Sequence, residues 1–249
     1  HPVCARPARR RALAPRRVSP QLPLSLKFPP DQRLAFFSGR DDVREMVAAV
    51  ADGSRSDWLY LAGPAGSGKT HLLLAACAQA QAHDRRAVYL PMAALAGRVE
   101  SALAGQDEAG LVCLDGLDAI AGRRDDEVAL FHFHNCMRAG SGRLVYAASA
   151  MPAALPFVLP DLVSRLEQCT RLALEPLDEE ARRDVLRQRA ARRGLELDEA
   201  VLDYLFRRVG RDLATLTGLL DRLDRESLAA QRRITVPFLR GVLDGGKKD

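Results

Sequence analysis

The segment Trp58–Thr70, which reads WLYLAGPAGSGKT, constrains the fold of this chain more than any other feature. An apolar run of β-forming residues leads into the spacing G-x-x-x-x-G-K-T, and an apolar, helix-forming run follows. Strand, glycine loop and helix in this order predict a phosphate-binding loop, because loop N–H groups, the helix start and a lysine together attract phosphate. The alternative is a glycine turn that merely joins strand and helix, and the complete spacing disfavours it. The residues predicted to contact the nucleotide are Gly63, Pro64, Ala65, Gly66, Ser67, Gly68, Lys69 and Thr70.

A magnesium ion is expected beside the phosphates. The hydroxyl of Thr70 is the ligand that this loop type offers to Mg²⁺. A second candidate is Asp115, which ends the apolar strand LVCLD; in phosphate-loop ATPases an acid at this place holds Mg²⁺. A strand that simply happens to stop at aspartate is the alternative for Asp115.

Strands alternate with helices along the first part of the chain. We predict strands over 58–62, 87–90, 111–115, 143–148 and 170–174, and helices from Asp41 to just before Gly53, from the loop toward His83, and over 92–104 and 125–139. This alternation is typical of an α/β fold with a parallel sheet between helices. After Pro176 only helices are predicted, over 178–192, 199–209, 211–231 and 236–244. We therefore expect an α/β nucleotide-binding domain at 31–175 and a small all-helical lid domain at 176–249.

The net charge of +5 is concentrated in the first residues. Six arginines and no acid lie in residues 1–20, so the rest of the chain carries a net charge of −1. This composition predicts a disordered basic arm at 1–20 and a nearly neutral body, which argues against a broad DNA-binding face. Any DNA contact is expected to be weak or indirect. No apolar run approaches the roughly 18 residues of a membrane span, so no membrane association is expected.

The five cysteines form no closely spaced pairs, and three side chains of one segment could in principle hold a metal. Scattered, odd-numbered cysteines predict reduced, buried thiols in the cytosol. His132, His134 and Cys136 lie close in sequence, and we favour ordinary helix packing over a metal site there because no further ligands are in view. The cysteines are Cys4, Cys77, Cys113, Cys136 and Cys169.

Several longer motifs resemble one family. GPAGSGKT, the acid-ended strand, LPDLVSRL at 159–166 and Gly210-Arg211-Asp212 at the start of a lid helix are similar to the AAA+ ATPases of the DnaA initiator clade. More narrowly, QLPLSL at 21–26, SGKTHLLLAAC, LVCLDGLDAIAG and LDRLDRESLAAQRRITVPFLR resemble the Hda group, small DnaA homologues that inactivate the initiator. The resemblance covers about residues 21–244. It implies an AAA+ fold, bound ADP or ATP with Mg²⁺, DnaA as partner, homo-oligomers, and a bacterial cytoplasmic location at the replisome.

The resemblance also implies roles for particular residues. QLPLSL is similar to a peptide that binds the DNA-polymerase sliding clamp, which would make 21–30 a clamp-binding peptide and linker; the alternative is a segment that folds back on its own domain. Gln21 would bind through its amide, and Leu22, Leu24 and Leu26 would supply apolar side chains. Arg165 matches the arginine finger offered to a neighbouring subunit's nucleotide, and Arg211 matches the sensor arginine that touches the nucleotide in cis. For both arginines the alternative is a solvated helix residue.

One position departs from the general ATPase pattern. Most AAA+ enzymes follow the Mg²⁺ carboxylate with a second acid that orients the attacking water, whereas Gly116 follows Asp115 here. Loss of a general base costs roughly 10²–10⁴-fold in rate. Asp118 is expected to point elsewhere, and Ser149 is the candidate for the first sensor. We therefore predict a protein that holds nucleotide and hydrolyses it slowly.

Two classes of function remain open from the sequence. In the first, the chain is a nucleotide-bound regulatory adaptor that promotes hydrolysis of DnaA-bound ATP and so prevents re-initiation of replication. In the second, it is an ATP-dependent helicase loader or initiator that acts directly on DNA. A DnaA-type initiator would need a further DNA-binding domain of about a hundred residues after Asp249, and the clamp-like peptide speaks against a loader.

Overall fold

The computed structural model describes residues 33–37, 40–209, 213–230 and 234–245. Its strands are β1 (Leu59–Ala62), β2 (Ala87–Pro91), β3 (Leu111–Asp115), β4 (Arg143–Ala148) and β5 (Thr170–Ala173). Its helices are α1 (Asp41–Asp52), α2 (Lys69–Ala82), α3 (Met92–Leu95), α4 (Val99–Leu103), α5 (Arg124–Ala139), α6 (Pro160–Glu167), α7 (Glu179–Arg192), α8 (Glu199–Arg208), α9 (Leu213–Ala230) and α10 (Val236–Gly245). Among the described helices, none is both long and apolar enough to cross a membrane.

The five strands form one parallel sheet in the order β2-β3-β4-β1-β5. The strand that precedes the phosphate loop therefore lies between β4 and β5, and β3 lies beside β4 on the other side. Parallel strands all end at the same edge of a sheet, so the loop, Asp115 and Ser149 follow neighbouring strands at that edge. Ligands of open α/β sheets bind at this edge. The predicted fold class, a parallel sheet between helices followed by a helical lid, is confirmed.

Alternate residues of the strands face opposite sides of the sheet, as the period of two in a strand requires. Leu61, Cys113 and Val145 pack with helices α1 and α2 on one face. Tyr60, Leu114 and Tyr146 pack with helices α3 to α6 on the other. Both faces are covered, which explains why these strands read as continuous apolar runs rather than alternating ones.

The region of the predicted helix over 92–104 differs from the prediction. It is broken into α3 and α4, because Gly97 adopts a left-handed conformation with φ of 83°. The buried carboxylate of Asp126 on α5 accepts hydrogen bonds from the N–H groups of Gly97 (2.7 Å) and Val99 (3.4 Å) and holds the break in place. Helix α6, which forms over most of the motif LPDLVSRL, is not among the predicted elements.

Helices α7 to α10 form a separate apolar core of their own, in which Leu186, Leu202, Leu220 and Leu239 are fully buried. Two aspartates begin lid helices in the manner expected of N-cap residues. Asp178 accepts from the N–H of Ala181 at 2.7 Å, and Asp198 accepts from the N–H of Val201 at 2.8 Å.

Candidate functional site

The phosphate loop has a backbone that only glycine adopts easily at two positions. Gly66 and Gly68 have φ of 78° and 89°, in the left-handed region. A Cβ on Gly68 would also come within 2.8 Å of the Phe37 ring. The loop is thus fixed both by its own conformation and by an aromatic side chain that precedes α1.

Lys69 begins α2 and turns its ammonium group back over the loop. Its Nζ donates hydrogen bonds to the carbonyl oxygens of Gly63 (2.5 Å) and Pro64 (2.8 Å) and lies 3.3 Å from the Ser67 hydroxyl. Burial lowers the pKa of Lys69, and the charges of Asp115 and Asp118 oppose that effect. The two carboxylates and the lysine therefore share one electrostatic environment.

The structure brings the two predicted Mg²⁺ residues into contact. The Thr70 hydroxyl donates to Oδ2 of Asp115 at 2.6 Å, across 45 residues of sequence. Tyr89 on β2 donates its hydroxyl to the same oxygen at 2.8 Å, and burial raises the pKa of Tyr89. Hard oxygen donors of this kind suit Mg²⁺, and a hydrogen-bonded carboxylate is the usual arrangement around such ions.

Asp118 and Ser149 form a second polar pair at the same edge. The backbone N–H of Ser149 donates to both carboxylate oxygens of Asp118 at 3.0 and 3.2 Å, and its hydroxyl also donates to Asp118. Gly116, between the two acids, has φ of 77°. The Asp118 carboxylate is therefore engaged by Ser149.

Lid helix α7 contacts the nucleotide-binding domain beside α2. The Arg189 guanidinium lies 3.3 Å from Nδ1 of His71, the residue after Thr70, and Nε2 of His71 lies 3.1 Å from the carbonyl oxygen of Arg33. Arg192 stacks over the ring of Phe36, with its Cζ 3.3 Å from the ring centroid. The first turn of α2 is thus in contact with both the lid and the segment before α1.

Arg165 lies in the last turn of α6 and is half-buried. Within the described part of the chain, no carboxylate forms an ion pair with its guanidinium. The other arginine and the peptide implied by the resemblance cannot be placed in the same way, because Arg211, Gln21, Leu22, Leu24 and Leu26 lie outside the described residues.

His134 is the one member of the trio His132, His134 and Cys136 that packs in the core, since His132 and Cys136 are exposed. His134 is fully buried, with Nδ1 2.9 Å from the Tyr146 hydroxyl and its ring edge-on to Trp58. No group of three His, Cys, Asp or Glu residues in the described ranges is arranged to hold a metal. The expectation of buried thiols is wrong for Cys136, which is exposed, and correct for the three cysteines Cys77, Cys113 and Cys169.

Tyr89, His71 and Arg189 are the site residues that the sequence did not single out. Tyr89 could have been found from the register, because it pairs with Cys113, two residues before Asp115 on the neighbouring strand. His71 directly follows the loop motif. Arg189 carries no local signal, since only the folded lid brings it to His71.

Comparisons with known proteins agree with this architecture. A model of the Hda lid domain matches residues 178–243. Domain III of the replication initiation protein DnaA from Thermotoga maritima superposes with a TM-score of 0.70 at 23% identity, covering 89% of this chain and 99% of that one. AMPPCP-bound DnaA from Aquifex aeolicus gives 0.63 at 24% identity and covers 79% of this chain. This chain spans 66% of that DnaA chain.

A solved structure outside the DnaA proteins has a similar fold. The RuvB Holliday junction branch migration motor of Thermotoga maritima superposes with a TM-score of 0.60 at 16% identity over 87% of this chain and 72% of its own. Identities at this level establish the fold. Together with the lid match, they show that the chain has the fold of DnaA domain III and that residues 178–243 are similar to the lid domain of Hda.

Proposed function

We propose that this protein binds ADP or ATP with Mg²⁺ and acts as a regulator of the DnaA initiator. Tethered to the sliding clamp through residues 21–26, it promotes hydrolysis of the ATP that DnaA holds and so prevents re-initiation of chromosomal replication. The observation that carries the proposal is the Hda-type lid on a chain with a DnaA-like nucleotide-binding domain. The nearly neutral body favours contact with a protein partner over a broad DNA surface.

Nucleotide binding is supported by the geometry at the sheet edge. The loop glycines, Lys69 and the start of α2 form a site for the phosphates, and Thr70 with Asp115 would hold Mg²⁺. The ion would neutralise charge on the phosphates and orient them. The Aquifex DnaA in the comparison was bound to AMPPCP, a nucleotide analogue. Arg211 is proposed to contact the same nucleotide from the lid.

Slow hydrolysis by the protein itself is supported by Gly116 and Asp118, which follow β3. Gly116 replaces the residue that would orient water, and the Asp118 carboxylate already accepts hydrogen bonds from Ser149. These hydrogen bonds occupy part of the acceptor capacity of the Asp118 carboxylate.

Action on a partner's nucleotide is supported by Arg165. Its side chain is half-buried on α6, without an acidic partner in the described ranges, so its charge is free to meet phosphate on another subunit. An arginine finger is worth about 10³–10⁵ in rate where it has been measured, because it stabilises charge that develops during phosphoryl transfer.

The test is Arg165→Ala in an assay of DnaA-bound radiolabelled ATP with DNA-loaded clamp. We expect stimulated hydrolysis to fall by at least about 10³-fold, while folding, ADP binding and clamp binding are unchanged. Arg171→Ala, which removes an exposed arginine from β5, is the matched control and should retain full stimulation.

Three outcomes count against the proposal. Full stimulation by Arg165→Ala would make this arginine a surface residue. Loss of the protein's own ADP binding in Arg165→Ala would mean that Arg165 contacts the nucleotide of its own subunit. Rapid ATP turnover by the protein alone, dependent on DNA, would favour the helicase-loader class.

A further inference from the structure

Glu127, in the first turn of α5, is a buried acid with no basic partner among the described residues. Its side chain is fully excluded from solvent. Burying a carboxylate is costly unless hydrogen bonds replace its water, and here three backbone N–H groups do so. Oε1 accepts from Gly122 at 2.7 Å, and Oε2 accepts from Val158 at 2.9 Å and from Leu159 at 2.7 Å.

These hydrogen bonds fix the point where α6 begins. Leu159 is the N-cap residue of α6, and no side chain caps this helix. Its N–H, together with that of Val158, is bound by Glu127 from across the fold, 31 and 32 residues away in sequence. The carboxylate therefore ties the end of the connection from β4 to the start of α5.

The start of α6 determines where Arg165 is presented. Arg165 lies six residues after Leu159, which is about 9 Å along a helix axis. The buried residues Leu162 and Leu166 fix the rotation of the helix, since both pack into the sheet core. Glu127 fixes the position of α6 along the helix axis and the direction from which the chain enters this helix. Displacement of a reacting group by about 1 Å can cost about 10²-fold in rate.

We propose that Glu127 is the positioning residue for Arg165: by binding the N–H groups of Val158 and Leu159 it holds α6 where the guanidinium meets the partner's nucleotide. This inference rests on the proposed function, and it adds a residue that contacts neither nucleotide nor partner.

The neighbouring acid Asp126 provides a matched control. It is also buried, on the same turn of α5, and it also binds backbone N–H groups, those of Gly97 and Val99, but unlike Glu127 it forms an ion pair, with Arg123 at 2.9 Å. Its hydrogen bonds fix the break between α3 and α4 instead of α6. Glu127→Gln and Asp126→Asn therefore each replace a buried acid at adjacent positions and release different segments, and Asp126→Asn also removes the ion pair with Arg123.

The experiment compares the two variants in clamp-dependent hydrolysis of DnaA-bound ATP and in hydrogen exchange. In Glu127→Gln we expect the maximal stimulated rate to fall by about 10- to 100-fold and the amides of 155–168 to exchange faster, with ADP binding retained. In Asp126→Asn the stimulated rate and the protection of the amides of 155–168 from exchange should equal those of the wild type. Should Glu127→Gln not fold, Glu127→Asp, which withdraws the oxygens by one methylene, is expected to show a smaller effect in the same direction.

A double-mutant cycle with Arg165→Ala shows whether Glu127 acts through Arg165. We expect Glu127→Gln to have no further effect on stimulation in the Arg165→Ala background. An additional loss in that background, or full stimulation by Glu127→Gln despite faster exchange, would overturn the proposal. Full stimulation by Arg165→Ala would instead overturn the proposed function, while the exchange data would still report whether Glu127 holds α6.

Discussion

At the scale of single residues, Lys69 is the side chain whose environment is most completely described. Among the described residues, the hydrogen bonds of its ammonium group all go to loop atoms, and burial lowers its pKa. A lysine in this position gains most when a phosphate provides full negative charge, because a partly buried cation is poorly solvated.

Replacement of Lys69 by alanine should weaken ADP binding by about 10- to 100-fold, the value of a charge-assisted hydrogen bond. The fold should persist, because alanine is a better helix former at the start of α2. Calorimetric titration with ADP measures the change. Arg86→Ala, which removes an exposed charge at the opposite edge of the sheet, is the control. Unchanged affinity in folded Lys69→Ala would contradict the phosphate-loop assignment.

Gly116 and Asp118 lead to a prediction about the protein's own turnover. We expect ATP hydrolysis by the purified protein well below about 1 s⁻¹, the lower end for ordinary enzymes, since neither residue offers a free carboxylate to water. Release of inorganic phosphate measures it. Asp118→Asn should change this low hydrolysis rate by no more than a few-fold. A large fall in that variant would identify Asp118 as the general base.

At the scale of helices and strands, the sequence predicts an element correctly where the residues of that element themselves carry the signal. All five strands and helices α1, α2 and α5 were predicted within a few residues, because apolar runs and glycine ends mark them. It failed for the helix over 92–104, where the side chain of Asp126, distant in sequence, stabilises a break at Gly97. It also could not join Glu127 to Leu159, since this contact depends on tertiary packing.

The buried histidine of helix α5 leads to a prediction about how stability depends on pH. Helix α5 places His134 in the core, where burial lowers its pKa from 6.5 to about 4, with the charges of Arg138 and Arg165 adding to the effect. The unfolded chain binds a proton between these values and the folded chain does not, so stability decreases as the pH falls from about 6.5 to 4, by up to about 1.4 kcal/mol per unit.

His134→Asn should therefore flatten the dependence of stability on pH in this range, while keeping a partner for the Tyr146 hydroxyl. Urea unfolding at a series of pH values measures the slope. His83→Asn, at an exposed position, is the control, and its stability should show the same dependence on pH as that of the wild type. An equal slope in His134→Asn and the wild type would mean that His134 does not titrate on unfolding.

At the scale of the whole molecule, the lid and the nucleotide-binding domain meet beside the phosphate loop. Arg189 with His71 and Arg192 with Phe36 join α7 to the segments on either side of the nucleotide site. A nucleotide at the loop would therefore lie next to the contacts that set the lid's position. The residues proposed to bind partners lie elsewhere in the sequence, with Arg165 in the segment that forms α6 and the proposed clamp-binding peptide at 21–26.

That separation predicts that clamp binding can be removed without loss of nucleotide binding. Alanine at Gln21, Leu22, Leu24 and Leu26 together should weaken binding to the sliding clamp by at least about 100-fold, because each buried leucine contributes about 1.5–3 kcal/mol. ADP affinity should be unchanged. Clamp binding is measured by surface plasmon resonance on immobilised clamp, and deletion of residues 1–20 alone is the control that should bind as the full chain does. If the deletion abolishes binding and the alanine variant does not, the arginine-rich arm is the clamp ligand. If both variants bind the clamp normally, a segment outside residues 1–26 binds the clamp.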